Sequence, residues 1–136
     1  MTVRHVLNLP YDKPPLSMND RGQTPGARAR HSRIVAQLRG DACWLAKAAK
    51  LPKGLDHVTV QLHYRPRDNR RRDTENLSAT SKPLCDGLVD YGLVPDDIPR
   101  YMAKPEAVIH SATTGISGEM WLEVSWNTTP SEENQP

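Results

Sequence analysis

Phenylalanine is missing from this chain, and aromatic packing falls to three Trp and four Tyr among 136 residues. The core must therefore come mostly from Leu, Val and Ile. Long apolar runs are missing too. No stretch approaches the ~18 residues of a membrane span, and no basic-then-apolar pattern marks the N-terminus, so neither spanning nor export is expected and the cytoplasm is the expected compartment. Cysteine is scarce. Cys43 and Cys85 could pair in principle, but in apolar contexts without a secretory sign both read as reduced core thiols. Net charge is small at +2, too little to argue for nucleic-acid binding by itself.

The distribution of charge says more than its sum. The segment 21–39 carries Arg21, Arg28, Arg30 and Arg33 with no acidic residue, and 65–72 holds five arginines against Asp68 alone. Either cluster could face phosphates, although an arginine run is more often a solvated loop. His5, His31, His57, His63 and His110 lack ligand spacing and are assigned no metal. The sequon at Asn127 carries no weight in a cytoplasmic chain.

One domain fits this length. Residues 3–9 read as a strand closed by Pro10, and 11–26 hold too many Pro and Gly for regular structure. Ile34, Leu38, Ala42, Leu45 and Ala49 recur at helical spacing, predicting a helix over 27–50. Val58, Val60, Leu62 and Tyr64 alternate with polar residues as in a half-buried strand. Leu84, Cys85, Leu88, Val89 and Tyr91 trace a second helix. Thr80 or Ser81 is its candidate cap, Pro83 lies in its first turn, Gly92 ends it, and Lys82 and Asp86 share its other face. Residues 107–112 and 120–126 read as two strands around a Gly-containing turn, and 127–136 as a disordered tail. This order predicts an α/β domain over 1–126, a mixed sheet with its helices packed on one face.

The chemistry-bearing residues cluster around that second helix. Asp73 and Glu75 stand two apart in a near-extended entry segment, so both carboxylates should leave the backbone on one side. Such a pair repels itself unless a proton or cation is shared, and Mg²⁺ is a hard ion that also accepts phosphate oxygens. Asp96 and Asp97, after Pro95, offer a third carboxylate from the loop beyond the helix. The bland alternatives are a capping pair near a helix start, a simple turn, and an ordinary exposed ion pair of Lys82 with Asp86.

The stretch RRRDTENL, followed by KPLCDGLVDYGLVPDD, resembles the signature of the RusA family of Holliday junction resolvases. That pattern has an Arg-rich lead-in, D-x-D-N, a Lys, an Asp one turn later, an apolar helix ending in Gly, and a D-D pair. Here these fall on Asp73, Glu75, Asn76, Lys82, Asp86, Gly92, Asp96 and Asp97, and the opening LP…PPLSMNDR is similar to the family's start. The resemblance implies the family's α/β homodimer, with Asp73, Glu75 and Asp97 as Mg²⁺ ligands (Mn²⁺ able to substitute). It places Lys82 at the scissile phosphate and Asp86 and Asp96 in second rank. Four-way junctions are the implied substrate. A two-fold dimer would present two active sites to a junction's two symmetric strands. The basic segments, with Arg21, Arg28, Arg30, Arg33, Arg70, Arg71 and Arg72, would form the DNA surface. Glu75 stands where the pattern has Asp, and the span from Asn76 to Lys82 is about one turn longer. The alternative is a branched-DNA-binding protein whose metal site is impaired, and a third reading is a structural protein in which the acidic pair only caps a helix.

Overall fold

Alternation of apolar and polar side chains over two neighbouring strands sets the centre of the molecule. The computed structural model describes residues 1–17 and 24–128, so Arg21 and the segment 129–136 lie outside the described residues. Within them the chain forms β1 (Thr2–Leu9), α1 (Pro25–Ala48), β2 (Val58–Arg65), a 3₁₀ turn (Thr74–Leu77) running into α2 (Ser78–Tyr91), β3 (Met102–Ala103), β4 (Val108–Ile109) and β5 (Glu119–Asn127). β5 lies between β1 and β2 and is antiparallel to both, while β3 and β4 pair parallel with the other side of β2. The result is the expected mixed α/β sheet.

Register brings Leu7, Leu122 and Leu62 side by side, with Leu9, Met120 and Tyr64 as the next row. This face is buried in one cluster with Leu38, Ala42 and Ala46 of α1 and Leu84, Cys85 and Leu88 of α2, so both helices cover the same side. The helices meet closely at Gly87, where an added Cβ would stand 2.2 Å from the Arg39 carbonyl oxygen; any larger residue would drive them apart. Gly92, at φ 100°, closes α2 in the left-handed conformation that favours glycine, as anticipated.

Several expectations change. The proposed pair of strands around a Gly-containing turn is not a hairpin. The Ala112 amide donates to Asn69 Oδ1 at 2.8 Å, which draws the chain off the sheet after the short β4, and β5 pairs elsewhere. Thr80 does not cap α2. It is buried inside the helix, donating to the Leu16 carbonyl at 2.7 Å and accepting from the Leu16 amide at 3.3 Å, and it pins the segment after β1 against α2. Pro83 sits within the helix rather than in its first turn. The presumed tail begins as sheet, since Asn127 ends β5 and the Thr128 amide donates to the Met1 carbonyl at 2.8 Å.

Cys85 is a buried free thiol, pushed up to about 11 chiefly by burial, whereas Cys43 is free but only half-buried. Among the described residues no helix is long and apolar enough to cross a membrane.

Candidate functional site

The outer edge of β2 is where the sheet is interrupted. β3 pairs Met102 with Val58 and β4 pairs Val108 with His63, so between these contacts the edge carries one residue more than β2. An extra residue bulges the chain and re-aims its side chains. The displaced segment is Lys104–Ala107. It borders a cavity of about 580 Å³ with Leu62 from β2, Thr74, Glu75 and Leu77 from the 3₁₀ turn, and Ser78, Ser81 and Lys82 from α2. Glu106 fixes the bulge: Gln61 Nε2 donates to its carbonyl at 2.8 Å, and the Thr74 hydroxyl donates to its carboxylate.

Asp73 and Glu75 do not emerge side by side. Asp73 is extended and accepts the Glu75 amide at 3.0 Å, capping the turn, while Glu75 already lies inside that turn, where strand alternation no longer holds. Asp73 instead borders a neighbouring opening of about 700 Å³ with Arg71, Arg72 and Asn76, which shares Thr74 and Leu77 with the first cavity. The capping alternative is therefore realised at Asp73. Glu75 is exposed, and its carboxylate has no hydrogen-bond or ion-pair partner among the described residues.

Lys82 and Asp86, four apart on α2, pair at 3.0 Å. Lys82 also reaches Asp97 Oδ2 at 2.5 Å, and Lys104 approaches the same oxygen at 3.3 Å. Hydrogen bonding from Lys82 is the main cause holding the Asp97 carboxyl below its ordinary range, and in return hydrogen bonding to Asp97 holds the Lys82 ammonium above its own. Asp96 accepts the Asp97 amide at 2.8 Å, which shapes the turn rather than facing the cavity chemistry. Thus Glu75 and Lys82 border one cavity, Asp97 is tied to that cavity's lysines, and Asp73 stands at the adjoining opening.

The arginines divide. Arg72 is largely buried, bonds Asp68 and the carbonyls of Asp68 and Arg70, and stacks over Tyr64. Arg70 bonds Asp68 through its backbone amide and side chain, each at 3.2 Å. Arg71, Arg28, Arg30 and Arg33 are exposed and have no ion pair among the described residues. The last three project from the first half of α1 rather than from a loop.

Lys104 and Glu106 escaped the sequence reading because β3 and β4 are too short to show a period. The available signal was Pro105, which restricts Lys104 to extended backbone and fixes where its side chain starts. Donor chemistry at the site fits a hard divalent cation, being carboxylate oxygen throughout, yet no three such donors stand together among the described residues. A cation would have to compete with Lys82 and Lys104 for Asp97. In comparisons with known proteins, the chain matches no family model and no curated protein.

Proposed function

We propose that this chain is a Mg²⁺-dependent, structure-selective DNA endonuclease of the RusA type, resolving four-way junctions as a homodimer. The observation that carries the reading is the cavity itself, which the unpaired carboxylate of Glu75 and the Lys82 ammonium border, with Asp97 paired to Lys82, all three from the segments bearing the resolvase-like motif. Asp73, Glu75 and Asp97 would hold the metal. When bound, Mg²⁺ supplies the Lewis acidity that activates water and offsets charge on a phosphate.

The chain's own groups supply the rest. Asp97 stays ionised well into acid, and Lys82 stays charged through the working range, so Lys82 acts as a fixed positive charge beside a phosphate and not as a base. Cys85, buried and held protonated, offers no nucleophile. The exposed arginines of α1 and Arg71 would hold the DNA backbone.

A binding protein without cleavage is the second reading, favoured by the one-sided pairing of Asp97 with two lysines and by the longer Glu75 side chain. Cleavage of a synthetic four-way junction in Mg²⁺, Mn²⁺ and EDTA separates the two. For the nuclease, Asp73→Asn and Asp97→Asn abolish cleavage, each losing a ligand charge, and keep junction binding. Glu75→Asp keeps or raises the Mg²⁺ rate, and Glu75→Gln lowers it. Wild type inert with either metal while Glu75→Asp cleaves identifies a binder, and Glu75→Gln as fast as wild type removes Glu75 from the ligand set.

A further inference from the structure

The geometry points to Lys104 as a second phosphate-binding group, forming with Lys82 a two-ammonium clamp for a DNA phosphate in the cavity. This rests on the reading of that cavity as a DNA site. Both ammonium nitrogens address one oxygen of Asp97, Lys82 at 2.5 Å and Lys104 at 3.3 Å. An ammonium has three donors. Asp97 is Lys104's sole ion-pair partner among the described residues, so donors of Lys104 remain for the cavity that it borders.

Exposure separates the anchor from the clamp. The Asp97 side chain is 13% exposed, whereas Lys82 is 58% and Lys104 37% exposed. The carboxylate thus sits behind and the two cations in front, where an incoming anion would meet them first. Asp86 shares Lys82 at 3.0 Å but makes no contact with Lys104, which leaves Lys104 the less neutralised of the two. The backbone supports a fixed position. Lys104 follows β3 directly, precedes Pro105, and opens the bulge that Gln61 and Thr74 secure through Glu106. A phosphate bridging the two ammonium groups would keep the charge balance that Asp97 now provides, and would leave Asp97 free for a metal.

The competing role is a tether that merely orients Asp97. The two differ in counterion release, because a direct phosphate contact contributes about 0.9 to the slope of log K against log salt and a tether contributes none. Binding of a synthetic four-way junction in EDTA is measured over a salt series for wild type, Lys104→Ala and Lys104→Arg, with thermal melts to confirm folding. Lys104→Ala is expected to flatten the slope by about 0.9, Lys104→Arg to keep it, and Asp97→Asn/Lys104→Ala to show the same decrement against Asp97→Asn. An unchanged slope for Lys104→Ala overturns the clamp. If Mg²⁺ cleavage nevertheless drops in that variant, Lys104 is a tether and the nuclease reading stands. Wild type that binds junctions but never cleaves them removes the nuclease reading while the slope still decides Lys104. Wild type that binds no junction overturns both.

Discussion

Two arginine-rich regions look alike as sequence and differ as structure. In 65–72 the charge is dense but mostly tied to acids: Asp68 sits within 4 Å of Arg67, Arg70 and Arg72, of which only Arg72 is largely covered, and Arg65 pairs with Glu119 while lying over the Trp121 ring. The first half of α1 contains no acidic residue of its own, and Arg28, Arg30 and Arg33 stand exposed along it and unpaired among the described residues. A run of charge in sequence is therefore not a measure of charge available to a ligand. Arg28, Arg30 and Arg33 have no acid within ion-pair distance among the described residues, whereas the loop's own aspartate ties Arg67, Arg70 and Arg72 together ahead of Asp73.

The largest effect is expected where the free charge is. Replacing Arg28, Arg30 and Arg33 together by Ala should flatten the salt dependence of junction binding by up to about 2.7, at about 0.9 per phosphate contact, with folding intact because all three are exposed. A smaller decrement than that of a single arginine would move the DNA surface away from α1 and break the contrast.

Next comes the aspartate that organises the loop. Asp68 is lowered to about 2 from its ordinary 3.8, first by the hydrogen bond from Arg72 and then by the Arg70 amide. Its folded value lies below the unfolded one, so the ordering it provides is complete above about pH 4 and is lost as pH falls through about 2. Carboxyl NMR titration of Asp68, with amide exchange at Arg70, should show that loss in the same window. Asp68→Ala at neutral pH should release the loop arginines and steepen the salt slope of binding by up to about 2. A titration near 3.8 with no change of slope would mean that the loop's charge was never held.

How much of this was legible follows the length of each element. β1, α1 and β2 announce themselves because they are long enough for a period, as Val58, Val60, Leu62 and Tyr64 show. β3 and β4 have two residues each; they exist through pairing with β2, a tertiary fact without a local pattern. The start of α2 misled for a related reason. Thr80 has the chemistry of a cap, but its partner is Leu16, 64 positions away. At the site, Glu75 and Lys82 of the motif border one cavity and Asp97 pairs with Lys82, whereas the 3₁₀ turn that separates Asp73 from Glu75 and the bulge that delivers Lys104 depend on backbone geometry that spacing alone does not carry.

The smallest effect lies within the loop itself, between adjacent arginines. Arg71 is exposed, unpaired among the described residues, and borders the opening that holds Asp73. Arg72 is 19% exposed, with its guanidinium donating to Asp68 Oδ1 at 2.8 Å and to the carbonyls of Asp68 and Arg70 at 2.8 Å and 3.0 Å. A guanidinium so engaged, with Tyr64 beneath it, has few donors left for a phosphate, so its removal costs structure first. Arg71→Ala should flatten the salt slope by about 0.9 and leave the thermal midpoint unchanged. Arg72→Ala should lower the midpoint, because the loop carbonyls lose their donor and Tyr64 its cover, and should change the slope little. Lysine sharpens the test: Arg71→Lys keeps the point charge and should keep the slope, whereas Arg72→Lys lacks the planar fork that spans Asp68 and two carbonyls and should melt nearly as early as Arg72→Ala. The reverse pattern, with the slope following Arg72 and the midpoint following Arg71, would show that on DNA the loop opens and Arg72 exchanges Asp68 for a phosphate, and the contrast with α1 would then belong to the free protein alone.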